Sequence, residues 1–240
     1  MPMSGKLFDF NGLKLLSAEN CELSNVGSNV VNFLSAELSS RVRRNVELHK
    51  MFNSNINIAD SKWIRILVRL KHSEFRGIRG ADFVRTNLLS IDDVSNHLIL
   101  APNAEVIDAI NNFRATNQKQ SIPSYILPEN FKNQTHLESL VSFLRRTEPN
   151  EIWLGISSPL QNLVANSLMA EYPAIYYCVG AGLGFSVGQV REAPDVWQAL
   201  GLEWLFRLIQ EPKRLWKRYL MGNLQFTIDA IRYLVPRFKK

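Results

Sequence analysis

Asp60 follows the short β-rich run NINIA at residues 55–59, and a carboxylate in that position is suited to taking a proton from an attacking hydroxyl. The plainer account is that Asp60 or Ser61 caps a helical stretch starting near residue 62. Three more groups sit just past β-rich runs: Pro102-Asn103 after LILA, Ser157-Ser158-Pro159-Leu160-Gln161 after EIWLGI, and Gly180-Ala181-Gly182-Leu183-Gly184 after AIYYCV. The glycines would let a backbone approach a phosphate or nucleotide. They lack both the dinucleotide-binding spacing and a Gly-Lys-Ser/Thr ending, so a tight turn explains them as well. His49, His72, His97 and His136 have no ligand-like spacing to one another, to a cysteine or to paired carboxylates, so no metal site is expected. A serine-hydrolase elbow, G-x-S-x-G, is also missing.

Such residues matter only if strands present them together. Runs at 29–34, 55–59, 98–101, 124–127, 151–156 and 174–179 read as strands, and segments near 36–51, 62–70, 81–90, 103–117, 134–147 and 158–171 have helical periodicity. The alternation predicts an α/β fold, a Rossmann-like and mostly parallel sheet flanked by helices. In such a sheet ligands bind beyond the carboxyl ends of the strands, where the groups above lie. The first 28 residues predict an irregular or hairpin-like lead-in. After Gly188 the pattern changes, and three helical runs are expected: one from about 195 to 210, one opened by Pro212, and one over about 223–235 that stops before Pro236. The expected division is therefore an α/β domain over 1–194 and a basic helical appendage over 195–240.

The chain has 240 residues, 46% hydrophobic and 21% charged, enough for one sizeable core and too apolar for general disorder. Its two cysteines, Cys21 and Cys178, show no paired spacing, and no signal-like leader opens the sequence, which predicts a cytoplasmic protein. No run is long and apolar enough to span a bilayer. The formal charge of +6 is carried entirely by residues 201–240, where nine bases face Glu203, Glu211 and Asp229. Trp204, Phe206, Trp216 and Tyr219 interleave with those bases. A merely solvated helix face does not need these aromatics, and the pattern predicts interfacial binding to an anionic membrane. Nucleic acid is the competing polyanion, disfavoured because the bases are confined to one end.

The tail carries a resemblance. Ala193-Pro194 followed by GLEWLFRLIQEPKRLWKRYL closely resembles the C-terminal signature of WecG/TagA/CpsF-type glycosyltransferases, glycosyltransferase family 26. SSPLQN at 157–162 resembles the family's G-x-P-K-Q-E loop, CVGAGLGFSVGQV at 178–190 its G-V-G-A-x-F-D-F-x-x-G-K segment, and Gly80-Ala81-Asp82-Phe83 its Gly-Ser/Ala-Asp-Leu stretch. INIAD ending at Asp60 is similar to its strand-terminal P-D-G. The resemblance implies an inverting enzyme on the cytoplasmic face of the plasma membrane. Such an enzyme moves a sugar from a UDP-sugar to a polyprenyl-diphosphate-linked saccharide in cell-surface polysaccharide synthesis, without a cofactor. A non-catalytic membrane-associated partner of another transferase is the alternative.

Carried over by position, the resemblance implies Asp60 as general base and Gln161 as a second catalytic-site residue. It implies substrate contacts from Asn32, Asp82, Asn103, Ser158, Gly180 and Ala181. Arg207, Arg214, Lys217 and Arg218 would neutralise a diphosphate. The sequence departs from the family pattern at Ser61, Leu160, Asn162 and Gly184, which puts donor contacts in question, and it leaves the oligomeric state open.

Overall fold

The computed structural model describes residues 6–18, 27, 29–127 and 134–235. Cys21, Pro236 and the terminal bases Arg237, Lys239 and Lys240 lie outside the described residues. The strands are β1 (Leu7–Phe10), β2 (Leu13–Leu16), β3 (Asn29–Leu34), β4 (Ile56–Ala59), β5 (His97–Ala101), β6 (Ser124–Ile126), β7 (Glu151–Leu154) and β8 (Ile175–Cys178). Before β5 come the helices α1 (Ala36–Arg43), α2 (Val46–Asn53), α3 (Lys62–Lys71) and α4 (Gly80–Val84), the last continued by a π-helical turn over Arg85–Leu89. After it come α5 (Ala104–Thr116), α6 (Gln134–Thr147), α7 (Leu160–Glu171) and α8 (Gly182–Ser186), then α9 (Asp195–Leu200), α10 (Glu203–Gln210) and α11 (Pro212–Leu234).

Six strands hydrogen-bond in the order β4-β3-β8-β7-β5-β6. The ladders β3–β8, β8–β7, β7–β5 and β5–β6 are all parallel, as the strand and helix alternation predicts. The lead-in is indeed a hairpin: β1 and β2 pair antiparallel around Asn11-Gly12, with positive φ at both turn residues.

The chain divides into two compact units. One holds the described residues of Cys21–Asn32 and Gly80–Val190. Its core is built from the inward side chains of β5, β7 and β8 with α6 and α7, including Leu98, Leu100, Leu140, Leu144, Leu154 and Tyr176. Trp153 is fully buried and stacks at 4.3 Å on Tyr177.

The other unit holds the described residues of Ser4–Asn20, Phe33–Arg79 and Arg191–Lys240. Its core joins Phe8, Phe10 and Leu15 of the hairpin to Leu38, Phe52, Ile64 and Val68, and Phe226 and Tyr233 of α11 close it. Helix α11 is thus part of this core, while α9 and α10 have no fully buried residue. Gly222 lets α11 meet α1, since a Cβ there would fall 2.4 Å from Glu37 Cγ. Asp229, buried on the same face, accepts from Ser40 Oγ at 2.7 Å, Arg43 at 2.5 Å and Arg44 at 2.8 Å.

Two helical boundaries differ from expectation. The stretch at 36–51 is broken because Asn45 caps a new helix, its side chain accepting from Leu48 N at 3.0 Å. The three tail runs regroup: Gly201, at φ +71°, ends α9 in the left-handed conformation, and α11 then runs unbroken through Gly222.

Candidate functional site

In the first unit the carboxyl ends of β7 and β8 bring the SSPLQN loop and the glycine run together. Gln161, in the first turn of α7, is almost fully buried, and its Nε2 donates to Ser158 Oγ at 2.7 Å and to the Cys178 carbonyl at 3.1 Å. Gly180 lies against it, where a Cβ would stand 3.4 Å from Gln161 Nε2, an ordinary contact, so it is the φ of +56° that favours glycine at position 180. Ala181 is exposed at the start of α8.

The neighbouring Asn162 donates from Nδ2 to Asn32 Oδ1 at 2.7 Å, both side chains being sealed from solvent. Gln161 Oε1 and Asn162 Oδ1 are buried acceptors without a protein donor, an expensive arrangement unless something else supplies one. They mark this loop as the polar focus of the unit. Cys178 beneath it is a free, buried thiol whose pKa burial pushes up, so it is no nucleophile.

Other expected contacts of this unit serve local structure. Asn103 caps α5, accepting from Val106 N at 3.3 Å. Asp82 pairs with Arg85 at 2.8 Å one turn along, and Arg85 also donates to the Phe185 carbonyl at 3.1 Å. Gly182 packs on α4, a Cβ there standing 3.2 Å from Ala81 N, and Gly184 packs under Gln189. The second and third glycines are therefore explained by packing.

In the second unit Asp60 leaves β4 with its backbone N–H bonded to the Leu34 carbonyl at 3.2 Å. Ser61 takes the cap position of α3, and its side chain makes no capping bond. Gly77 crosses the strand end closely, a Cβ there falling 2.6 Å from the Ala59 carbonyl and 2.8 Å from Arg65. Nearby, Arg79 gathers the C-terminal segment: it donates to Glu192 Oε1 at 2.6 Å and Gln198 Oε1 at 2.6 Å, with Glu203 Oε1 at 3.5 Å.

Burial pushes the Glu203 carboxyl above the usual carboxylate range. Arg79 pulls it back down and the charge of Asp60 pushes it up. Arg65 also pulls the Glu203 carboxyl down and Glu192 pushes it up, so Glu203 is the residue on which these charges meet. Sequence reading missed Arg79 and Glu203. The only hint of Arg79 is its place immediately before Gly80-Ala81-Asp82.

A sequence model described as the glycosyl transferase WecG/TagA/CpsF family matches residues 14–240. The chain belongs to that family. It is a glycosyltransferase family of cell-surface polysaccharide synthesis, and the match reaches from β2 through the C-terminal helices.

The tail bases of this family member differ in their surroundings. Arg218 is tied to Glu37 of α1 at 2.9 Å, and Arg214 to Glu211 at 2.5 Å. Lys217 is exposed, 5.4 Å from the centre of the Trp216 ring. Arg207 lies half-buried on α10. Trp204 meets Tyr219 edge-on and Trp197 meets Phe206 likewise, Trp197, Trp204 and Phe206 each being half-buried. Trp216, Leu220, Leu224 and Ile228 remain exposed on the side of α11 opposite its buried face. No helix among the described residues is long and apolar enough to cross a membrane. Among them, too, no three His, Cys, Asp or Glu side chains gather as a metal site.

Proposed function

We propose that this glycosyltransferase-family protein moves a sugar from a UDP-sugar to a polyprenyl-diphosphate-linked saccharide with inversion, at the inner face of the plasma membrane. The observation that carries the reading is Asp60. It stands at the end of β4, directly before α3, and its charge acts on Glu203 together with those of Arg79 and Arg65.

In this reading Asp60 takes the proton of the acceptor hydroxyl as its oxygen bonds to the anomeric carbon. The bond from that carbon to UDP breaks on the opposite side, and UDP departs with the electron pair. Gln161, with its unpaired Oε1, orients substrate beside Gly180 and Ala181, and Asn32 and Ser158 hold that loop. Asp82 and Asn103 act through the helices they stabilise. Arg207 and Lys217 face the acceptor diphosphate. Arg214 and Arg218 join them by exchanging their present carboxylate partners for phosphate oxygens.

The segment from 195 onward brings the enzyme to its lipid acceptor, with the outward apolar side of α11 in the interfacial layer and its bases at the headgroups. Release of UDP from a panel of UDP-sugars, in the presence of polyprenyl-diphosphate-linked saccharides in detergent, tests the whole reading. Acceptor-dependent release with one donor establishes the activity and names the sugar. Silence across the panel together with intact vesicle binding means a non-catalytic membrane partner instead.

A further inference from the structure

Helix α3 has an outward apolar face that the proposed reaction does not use. Ile64, Leu67 and Val68 point into the core of the second unit, whereas Trp63, Ile66 and Leu70 are 42%, 37% and 67% exposed. At 3.6 residues per turn these three fall within an arc of about 60°. Lys62 and Arg69 border that arc, and the ten residues Lys62–Lys71 include four bases and no acid.

Contacts fix where this face lies within its unit. At one end Trp63 Nε1 donates to the Gly201 carbonyl at 3.0 Å, and the Lys62 ammonium bonds the Ala199 carbonyl. At the other end the Lys71 ammonium bonds the Tyr233 carbonyl and sits 4.0 Å from the centre of that ring. Helix α3 therefore runs beside the C-terminal helices, from the turn between α9 and α10 to the end of α11. The neighbours at its two ends, Leu200 and Leu234, are themselves exposed. Apolar side chains of the C-terminal helices are thus exposed next to both ends of α3.

We infer that α3 is a second membrane-contact element, with Trp63, Ile66 and Leu70 seated in the interfacial layer of an anionic bilayer alongside the C-terminal helices. The inference rests on the membrane reading proposed above and extends it to a segment more than a hundred residues earlier. Charge selects the partner. A tryptophan and two aliphatic side chains edged only by bases suit anionic headgroups, whereas a second copy of the same face would bring like charges together.

The test is flotation of the full chain with phosphatidylcholine vesicles, with and without phosphatidylglycerol, for wild type, Ile66→Ser/Leu70→Ser and Leu220→Ser/Leu224→Ser. All four positions are exposed, and thermal melts verify that the variants fold. The expected result is binding that needs phosphatidylglycerol and falls on the order of tenfold or more in each double variant. If the α3 variant floats like wild type while the α11 variant does not, the α3 assignment is overturned and the membrane reading stands. Should wild type fail to float, both are overturned. If the α3 variant keeps wild-type flotation but light scattering shows a smaller oligomer, the face is a protein contact and the inference is again wrong.

Discussion

Asn162 Nδ2 donates to Asn32 Oδ1 at 2.7 Å with neither side chain reaching solvent, which ties the start of α7 to β3 inside the first unit. A bond made at that depth costs more to break than to omit, because the stranded partner loses a hydrogen bond that offset its desolvation. Asn162→Ala is expected to lower stability by about 1–3 kcal/mol. The Asn32→Ala/Asn162→Ala double variant should lose less than the sum of the two singles. Urea unfolding of the three variants checks this, and strict additivity would mean that the pair is not a unit.

Asp60→Asn keeps the shape of the side chain and removes its ability to accept a proton. Transfer should fall by about two to four orders of magnitude, the span a general base supplies. The melting temperature and vesicle binding should be unchanged. Acceptor-dependent UDP release by the variant measures the effect, and near-normal turnover would take Asp60 out of the mechanism.

The sheet and the strand-end residues were legible because they depend on local pattern. β-rich runs of four to six residues identify β3, β4, β5, β7 and β8; Asp60 follows directly from the end of β4, and Gln161 lies in the first turn of the helix after β7. Arg79 was not legible, since its partners Glu192 and Gln198 lie 113 and 119 residues away and no periodicity links them. Helix α11 was half legible. Its sequence has two apolar arcs on opposite sides, and composition cannot say that Leu215, Tyr219, Phe226 and Tyr233 turn inward while Leu220 and Leu224 turn outward. The split between α1 and α2 was hidden because Leu38, Val42 and Val46 keep a helical spacing straight across Asn45, whose preference for a cap is a weaker signal than that period.

Glu203 should make stability depend on pH in a particular direction. Burial raises its folded pKa above the ordinary 4.5, so the folded state favours the neutral acid. Its contribution is fully present below the unfolded pKa and is lost as pH rises through the folded one. Glu203→Gln, which cannot ionise, should therefore gain on wild type as pH is raised from about 4 to 7. Thermal melts of both proteins across that range give the difference directly. A gap that stays constant would mean that Glu203 carries its charge as freely in the folded chain as in the unfolded one.

The C-terminal helices are expected to be indispensable for folding of the second unit as well as useful at a membrane. Phe226 lies 6.2 Å from Phe10 ring to ring, Tyr233 5.0 Å from it, and Asp229 collects Ser40, Arg43 and Arg44. Phe226→Ala should cost about 3–5 kcal/mol, as for other large aromatic truncations in a core. Asp229→Ala should cost a similar amount, about 3–5 kcal/mol, because it leaves two partly buried guanidinium groups without their carboxylate. A chain ended before Pro212 loses all of these contacts together and should fail to fold its second unit, which urea denaturation and amide exchange of residues 33–79 would reveal. Anchoring and catalysis are therefore better separated by outward substitutions such as Leu220→Ser than by deletion. If the shortened chain instead kept native exchange protection over 33–79, the C-terminal helices would be a detachable appendage and activity of the deletion would become interpretable.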